Sequence, residues 1–193
     1  YPKTQKELWD EGFELKEKQF IGAKWGKYLR APQIFFNILE KGKGKLVPLK
    51  DVAEVRRGFT TGANEFFYLT EDEIKRRGIE KEFWMHQDEK GNWAPNYVIK
   101  SPRECKSITL KPDSLKYRVL MIHKEKKDLK RTKVLKYIED GERKGFDKRP
   151  TCASRERWYD LGERVPFGFL HPMVHNDRQL IAINEYFCYV DHN

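Results

Sequence analysis

Apolar residues in this chain come in short runs, each cut within a few positions by charge, glycine or proline, and that interruption limits it to short secondary-structure elements. No stretch approaches the ~18 consecutive apolar residues of a membrane span, which excludes an integral helical membrane protein. The segments "NYVIK" (96–100), "SITL" (107–110) and above all "KYRVLMI" (116–122) have the length and the β-branched or aromatic content of strands. "LVPLKDVAEVRRGF" alternates around Ala53, Val55 and Arg57, which predicts a strand, followed by the glycine-bearing turn "GFTTGAN" and a strand "EFFYL". The end of the chain, with "FGFLHPMV", "RQLIAI" and "EYFCYV" separated by "HND" and "NE", reads as a β meander.

Helices are expected between and around these strands. Residues 4–20 carry Leu8, Trp9, Leu15 and Phe20 among many charges and read as an amphipathic helical arm. Pro32 suits the first position of a helix that buries Ile34, Phe35, Ile38 and Leu39 and stops at Gly42. Thr70 and Glu73 predict a capping box over a short helix ended by Gly78. Residues 128–143 read as a helix through Leu129, Leu135 and Ile138, closed by Gly145. The fold class expected is α+β, a mostly antiparallel curved sheet with peripheral helices and a C-terminal β meander.

Hydrophobic residues are 38% and aromatic residues 13% of the 193. That is enough bulky side chain for a core, and a chain of this length buries roughly 70% of its extended surface on folding. "YPKTQKELWDEG" is neither a secretory signal nor an initiator start, so the chain is expected to be a piece of a longer polypeptide. Cys105, Cys152 and Cys188, odd in number and scattered, argue against a disulfide framework and for a reducing, cytoplasmic setting. No CxxC occurs, and Pro172 between His171 and His175 disfavours a helical metal pair, so no metal site is expected.

The formal charge of +9 is unevenly spread. Residues 1–58 hold 13 basic and 8 acidic groups and residues 111–160 hold 16 and 9, whereas residues 59–110 hold 8 and 9 and residues 161–193 hold 2 and 4. Two cationic blocks attract polyanions, nucleic acid first among them, although solvated lysine-rich helices give the same numbers.

Catalytic motifs are sparse. There is no GxGxxG, GxxxxGK[ST] or GxSxG. One pattern is nuclease-like: Asp113, then a strand, then Glu125-Lys126-Lys127, the order in which metal-dependent nucleases set two carboxylates and a lysine around a metal-bound water. The alternative is a turn at Asp113 and a solvated or phosphate-facing helix after His123.

Binding signatures are richer. The turn "RRGFTTGAN" projects Arg56 or Arg57, Thr60, Thr61 and Asn64, residue types that pair with guanine, adenine or phosphate, and Gly58 and Gly62 allow close backbone approach. "KGFDKRPTCASRERWYDLG" packs Lys148, Arg149, Arg155 and Arg157 around Trp158 and Tyr159, rings suited to stacking or to groove-wall packing. Lys126, Lys127, Lys130 and Arg131 suit phosphate contact or a solvated face equally.

"KWGKYLRAP", "LKDVAEVRRGFTTGANEFFYL" and "YIEDGERKGFDKRPTCASRERWYDL", with the closing β segments, resemble the target-recognition (TaqI-like specificity) domain of N-6 adenine DNA methyltransferases and fused restriction–modification enzymes. The likeness runs from about Lys24 to the end. It implies a helical arm or linker at 1–23 and a DNA target-recognition domain at 24–193. It places Arg57, Gly58, Thr61, Gly62 and Asn64 in the family's characteristic turn and Arg155, Trp158 and Tyr159 in its second block, without settling whether they touch bases or hold loops. The family's catalytic half binds S-adenosylmethionine and closes its adenine pocket with a Pro-Pro-aromatic motif. No Pro-Pro pair occurs here, so the resemblance implies a DNA reader with no cofactor or catalytic residue of its own. Its expected partners are double-stranded DNA and the catalytic domain of the same polypeptide. The rival readings are the nuclease using Asp113, Glu125 and Lys127, and a non-catalytic RNA- or protein-interaction module.

Overall fold

The computed structural model describes residues 2–14, 18–20, 22, 25–88, 90–172 and 181–191. The chain divides into two compact units, Tyr1–Arg56 and Arg57–Asn193. Among the described residues no helix is long and apolar enough to cross a membrane.

In the first unit, α1 (Gln5–Gly12) begins at a capping box. The Glu7 N–H donates to the Thr4 hydroxyl at 3.2 Å, and the Glu7 carboxylate takes the Thr4 N–H at 2.8 Å. The helix expected over 4–20 stops at Gly12. Beyond it β1 (Phe13–Glu14) pairs antiparallel with β2 (Gln19–Phe20), which brings Phe20 back to stack on Trp9 at 4.5 Å. Glycine is a poor helix former, and the ring stack favours the reversal. Leu15 lies outside the described residues.

Two helices follow, α2 (Gly26–Arg30) and α3 (Gln33–Lys41), then a single turn α4 (Leu49–Val52). Lys27 and Tyr28 of α2 both bond the Glu11 carboxylate of α1. Pro32 is the N-cap of α3 rather than its first residue, and Gly42 ends it as expected. The burial expected for α3 is absent: Ile34 is 60% and Ile38 54% exposed, with Phe35 and Leu39 exposed beside them. Gly12 is the only buried residue among those described in this unit. Covering a side chain of that size is worth about 1.5–3 kcal/mol, so the unit has the helices of a packed structure without its core. The strand expected around Ala53 and Val55 is also absent. Residues 53–57 are exposed and irregular, because alternation makes a strand only where a partner strand supplies hydrogen bonds.

The second unit holds the core. In chain order it contains α5 (Asn64–Phe67), β3 (Tyr68–Thr70), α6 (Glu71–Arg77), β4 (Met85–Gln87), β5 (Trp93–Pro95), β6 (Val98–Ile99), β7 (Tyr117–Val119), α7 (Lys133–Arg143), α8 (Pro150–Ala153), β8 (Phe169–Leu170), β9 (Ala182–Ile183) and β10 (Tyr189–Val190). Strands pair two by two: β3 with β7, β4 with β5 and β8 with β9 run antiparallel, and β10 with β6 runs parallel. The fold class is α+β, as expected. The last strand of the expected meander leaves its predecessors for β6, and the "HND" turn lies outside the described residues.

Local signals set several of these elements. Thr70 and Glu73 form the expected capping box over α6, and Gly78 closes it with φ +67°. "EFFYL" divides: Phe66 and Phe67 sit in the helical turn α5 and only Tyr68 onward is strand, which lets both phenylalanines enter the core. The helix expected from 128 starts instead at Lys133. Arg131 has φ +71°, Thr132 caps the new start, and the Glu80 carboxylate accepts the N–H groups of Lys133 at 2.5 Å and Val134 at 3.1 Å.

Phe66 centres the core, stacked on Tyr137 of α7 at 4.7 Å and tilted against Trp158 at 4.6 Å. Val119, Leu120, Ile122, Leu129 and Ile138 are fully buried around it. Burial pushes the Tyr137 phenol up to about 12, and its hydroxyl donates to the Phe66 carbonyl at 3.0 Å.

Gly141 of α7 gives the first prediction. A Cβ there would stand 2.7 Å from Trp158 Cη2 and 3.1 Å from the Phe66 ring. Alanine should gain about 0.5–1 kcal/mol of helix propensity, but overpacking costs about 1–3 kcal/mol. Gly141→Ala is expected to lower the denaturant midpoint at unchanged slope; a raised midpoint would show that Trp158 yields freely.

Candidate nucleic-acid interface

The turn between Arg57 and Asn64 is built by contacts from distant sequence. Phe59 enters it by bridging to Asp191, its N–H donating to the Val190 carbonyl at 3.1 Å. Gly58 lies so close to this strand that a Cβ would fall 2.6 Å from the Val190 carbonyl oxygen. Gly62 has φ +77° and packs against α8, where a Cβ would meet the Thr151 side chain at 2.7 Å.

The polar residues of the turn divide sharply. Thr61 is buried; its hydroxyl donates to Asn64 Oδ1 and accepts the Ala63 N–H at 3.2 Å. The Asn64 amide donates to Asp191 at 3.4 Å. Both ends of the Asn64 amide are therefore engaged inside the protein, and Thr61 faces no solvent. Burial and the Asp191 carboxylate push the neighbouring Tyr68 phenol well above its ordinary value, so it stays protonated. Thr60 and Arg57, by contrast, are exposed.

The second basic segment grips this turn. Arg155 donates to the Thr60 carbonyl at 2.7 Å and the Trp158 carbonyl at 3.2 Å. Arg149 donates to the Gly62 carbonyl at 3.4 Å and to Glu65 at 2.6 Å, and holds the Glu65 carboxyl below its usual range. The Cys152 thiol lies 3.5 Å from the Thr61 carbonyl. Trp158 and Tyr159 are buried, donating to Glu142 at 2.9 Å and to the Lys124 carbonyl at 3.2 Å. The structure thus brings together the two segments that the sequence singled out, through backbone carbonyls rather than side by side on a surface.

The remaining cations differ in how they are balanced. Arg56 pairs with Glu54 at 2.5 Å, within the N-terminal unit. Lys126 pairs with Glu142 at 2.5 Å, Lys127 with Glu125 at 2.7 Å, and Arg157 with Asp160 at 2.5 Å. Burial alone would raise the Asp160 carboxyl, but hydrogen bonds from Arg157, the Gly162 N–H and His123 hold it below its ordinary value. Arg57, Lys130, Arg131 and Lys148 are exposed and make no ion pair among the described residues. Lys130 and Arg131 precede α7 and Lys148 follows it, with the eleven-residue helix, about 16 Å long, between them in the chain.

Sequence reasoning missed the acceptors Asp191, Glu142, Glu65 and Asp160. Asn64 and Asp191 are 127 positions apart, and no local pattern links them. The nuclease arrangement does not assemble: Asp113 is exposed in a short 3-10 turn at 112–114, Glu125 pairs with Lys127, and among the described residues no three His, Cys, Asp or Glu side chains come together as a metal site.

Residues 22–191 match the family described as type II methyltransferase M.Eco57I, C-terminal domain. No curated protein and no solved structure shows significant similarity to the chain. The matched span holds the turn, the arginines that grip it and β10 with Asp191 directly after it, and this chain belongs to the family of methyltransferase C-terminal domains that M.Eco57I represents.

Proposed function

We propose that this chain is the sequence-reading, duplex-DNA-binding domain of an adenine-N-6 DNA methyltransferase, alone or within a restriction–modification enzyme. The observation that carries this reading is the gripped turn. Arg149 and Arg155 fix its carbonyls while Arg57 and Thr60 remain exposed, a rigid presentation of the side chains that suit a base edge. Thr61, Asn64, Gly58, Gly62, Arg149, Arg155, Trp158 and Tyr159 are then shape-keeping residues. Arg57 and Thr60 are the base readers, and Lys148, Lys130 and Arg131, with Lys126, Lys127 and Arg157, are phosphate contacts that position the duplex.

S-adenosylmethionine and the reacting adenine belong in this reading to a catalytic domain of the same polypeptide, in the cytoplasm, with residues 1–23 as the connecting arm and the bare face of α3 as surface for that domain. The family's description as a C-terminal domain supports this division. Adenine is the base assigned because the resemblance is to adenine methyltransferases.

Two measurements test the reading. Affinity of the chain for duplex DNA should fall steeply with salt, log K losing about 0.9 per phosphate contact for each unit of log salt; a flat dependence removes the electrostatic basis. Arginine replacements should separate two roles. Arg57→Ala should leave the melting temperature nearly unchanged, a surface change of within about 0.5 kcal/mol, yet weaken binding to the cognate sequence most. Arg155→Ala should cost about 1.5–3 kcal/mol of stability, because two carbonyls lose a charged donor. Equal loss on all sequences for Arg57→Ala would make it a phosphate contact instead.

A further inference from the structure

The geometry points to His123, oriented by Asp160, as a binding site for a nucleic-acid backbone phosphate, engaged when the imidazole is protonated. This rests on the DNA-reading role above and adds a contact that the gripped turn does not supply.

His123 lies four residues beyond the end of β7, and its Nδ1 lies 2.8 Å from Asp160 Oδ1. The same oxygen accepts the Gly162 N–H at 2.8 Å, and Oδ2 accepts Arg157 Nε at 3.2 Å and Nη2 at 2.5 Å. An Asp160 carboxylate so bonded is an acceptor only, which makes Nδ1 the donor. The proton of the neutral ring is therefore on Nδ1, and Nε2 carries a lone pair. No group among the described residues bonds Nε2, and the His123 side chain is 45% exposed while Asp160 is 10% exposed. The ring is held from behind and open in front.

A phosphate oxygen accepts hydrogen bonds and cannot pair with a lone pair. Protonation turns Nε2 into a donor and adds a positive charge in one step. The surrounding charges make that increment count. Lys124 pairs with Glu82 at 2.8 Å, Lys126 with Glu142, Lys127 with Glu125, and Arg157 with Asp160. Glu156, Glu163 and Arg164 flank the Arg157–Gly162 segment. Those four cations are each balanced by a carboxylate, while Arg155 and Arg164 of the same stretch bond the Thr60, Trp158 and Leu161 carbonyls, so each of the named cations beside the neutral site already has a partner. The proton on His123 adds positive charge to that site.

A purely structural role, tying the strand end to the 157–162 segment, would need only the Nδ1 donor. His123→Asn keeps an amide donor for Asp160 and removes Nε2, which separates the two. Duplex DNA binding by the 193-residue chain is to be measured against salt at about pH 5.5 and about pH 8. In the native chain the slope of log K against log salt should be steeper at the lower pH by about 0.9, one phosphate contact. His123→Asn should show the same slope at both and an unchanged melting temperature. Equal steepening in the variant, or none in the native chain, overturns the site. Should the chain bind DNA at neither pH, the DNA reading itself fails. Inorganic phosphate then decides for this site alone: a His123 ring proton shift on adding phosphate at the lower pH upholds it, and no shift overturns it.

Discussion

Two guanidinium groups bonded to the carbonyls of one turn organise the C-terminal unit. A turn that packs its own threonine inward leaves its backbone oxygens without sheet or helix partners, and such oxygens need other donors. Arg155 and Arg149 satisfy the carbonyls of Thr60 and Gly62. With those oxygens bonded, Thr61 can be buried, its hydroxyl can orient Asn64, and Asn64 can reach Asp191. Asp191 directly follows β10, whose neighbour Val190 accepts the Phe59 N–H and pairs with Ile99. One chain of hydrogen bonds thus runs from the arginine-rich segment, through the turn, to the parallel strand pair that closes the unit.

The same chain separates arginines that look alike in sequence. Arg57, Arg149 and Arg155 all stand among small polar residues, and each suits a guanine edge or a phosphate. Arg149 and Arg155 instead meet protein carbonyls, while Arg57 meets none among the described residues. The acceptors decide the role, and apart from the nearby Trp158 carbonyl they come from positions more than eighty residues away, beyond any spacing rule.

What could be read from the sequence follows that distinction between local and distant causes. The Thr70–Glu73 capping box and the Gly78 stop rest on neighbours within a few positions, and the structure has both; the strand around Val119 was legible from its apolar run although its partner β3 is distant. The body of α7 was legible for the same reason; its start was not, because Glu80, more than fifty residues upstream, caps it at Lys133. "EFFYL" has strand composition throughout, yet the two phenylalanines turn helically because Tyr137, Phe146 and Trp158 accept their rings there. The α3 face shows the opposite failure. Its periodicity gave a correct helix, but periodicity says only which side is apolar and nothing about what covers it. At the candidate interface both segments were legible as special, and their division into buried framework and exposed contacts was not.

That division bears on how a basic domain can grip a polyanion without losing its shape. Lys127 and Glu125 are both more than half exposed, as are Arg56 and Glu54, and exposed pairs of this kind contribute about 0–1 kcal/mol. A phosphate can replace the carboxylate in such a pair at small cost, so pairing in the free protein does not bar these cations from the phosphate contacts proposed above. Arg155 has no such latitude, since withdrawing it leaves the Thr60 and Trp158 carbonyls unpaired and loosens the wall that Trp158 forms against Phe66. The cations of residues 111–160 therefore form two populations held by different forces. One is free to exchange partners with the solvent side; the other is fixed by backbone carbonyls and holds the 60–62 turn against the Trp158 segment.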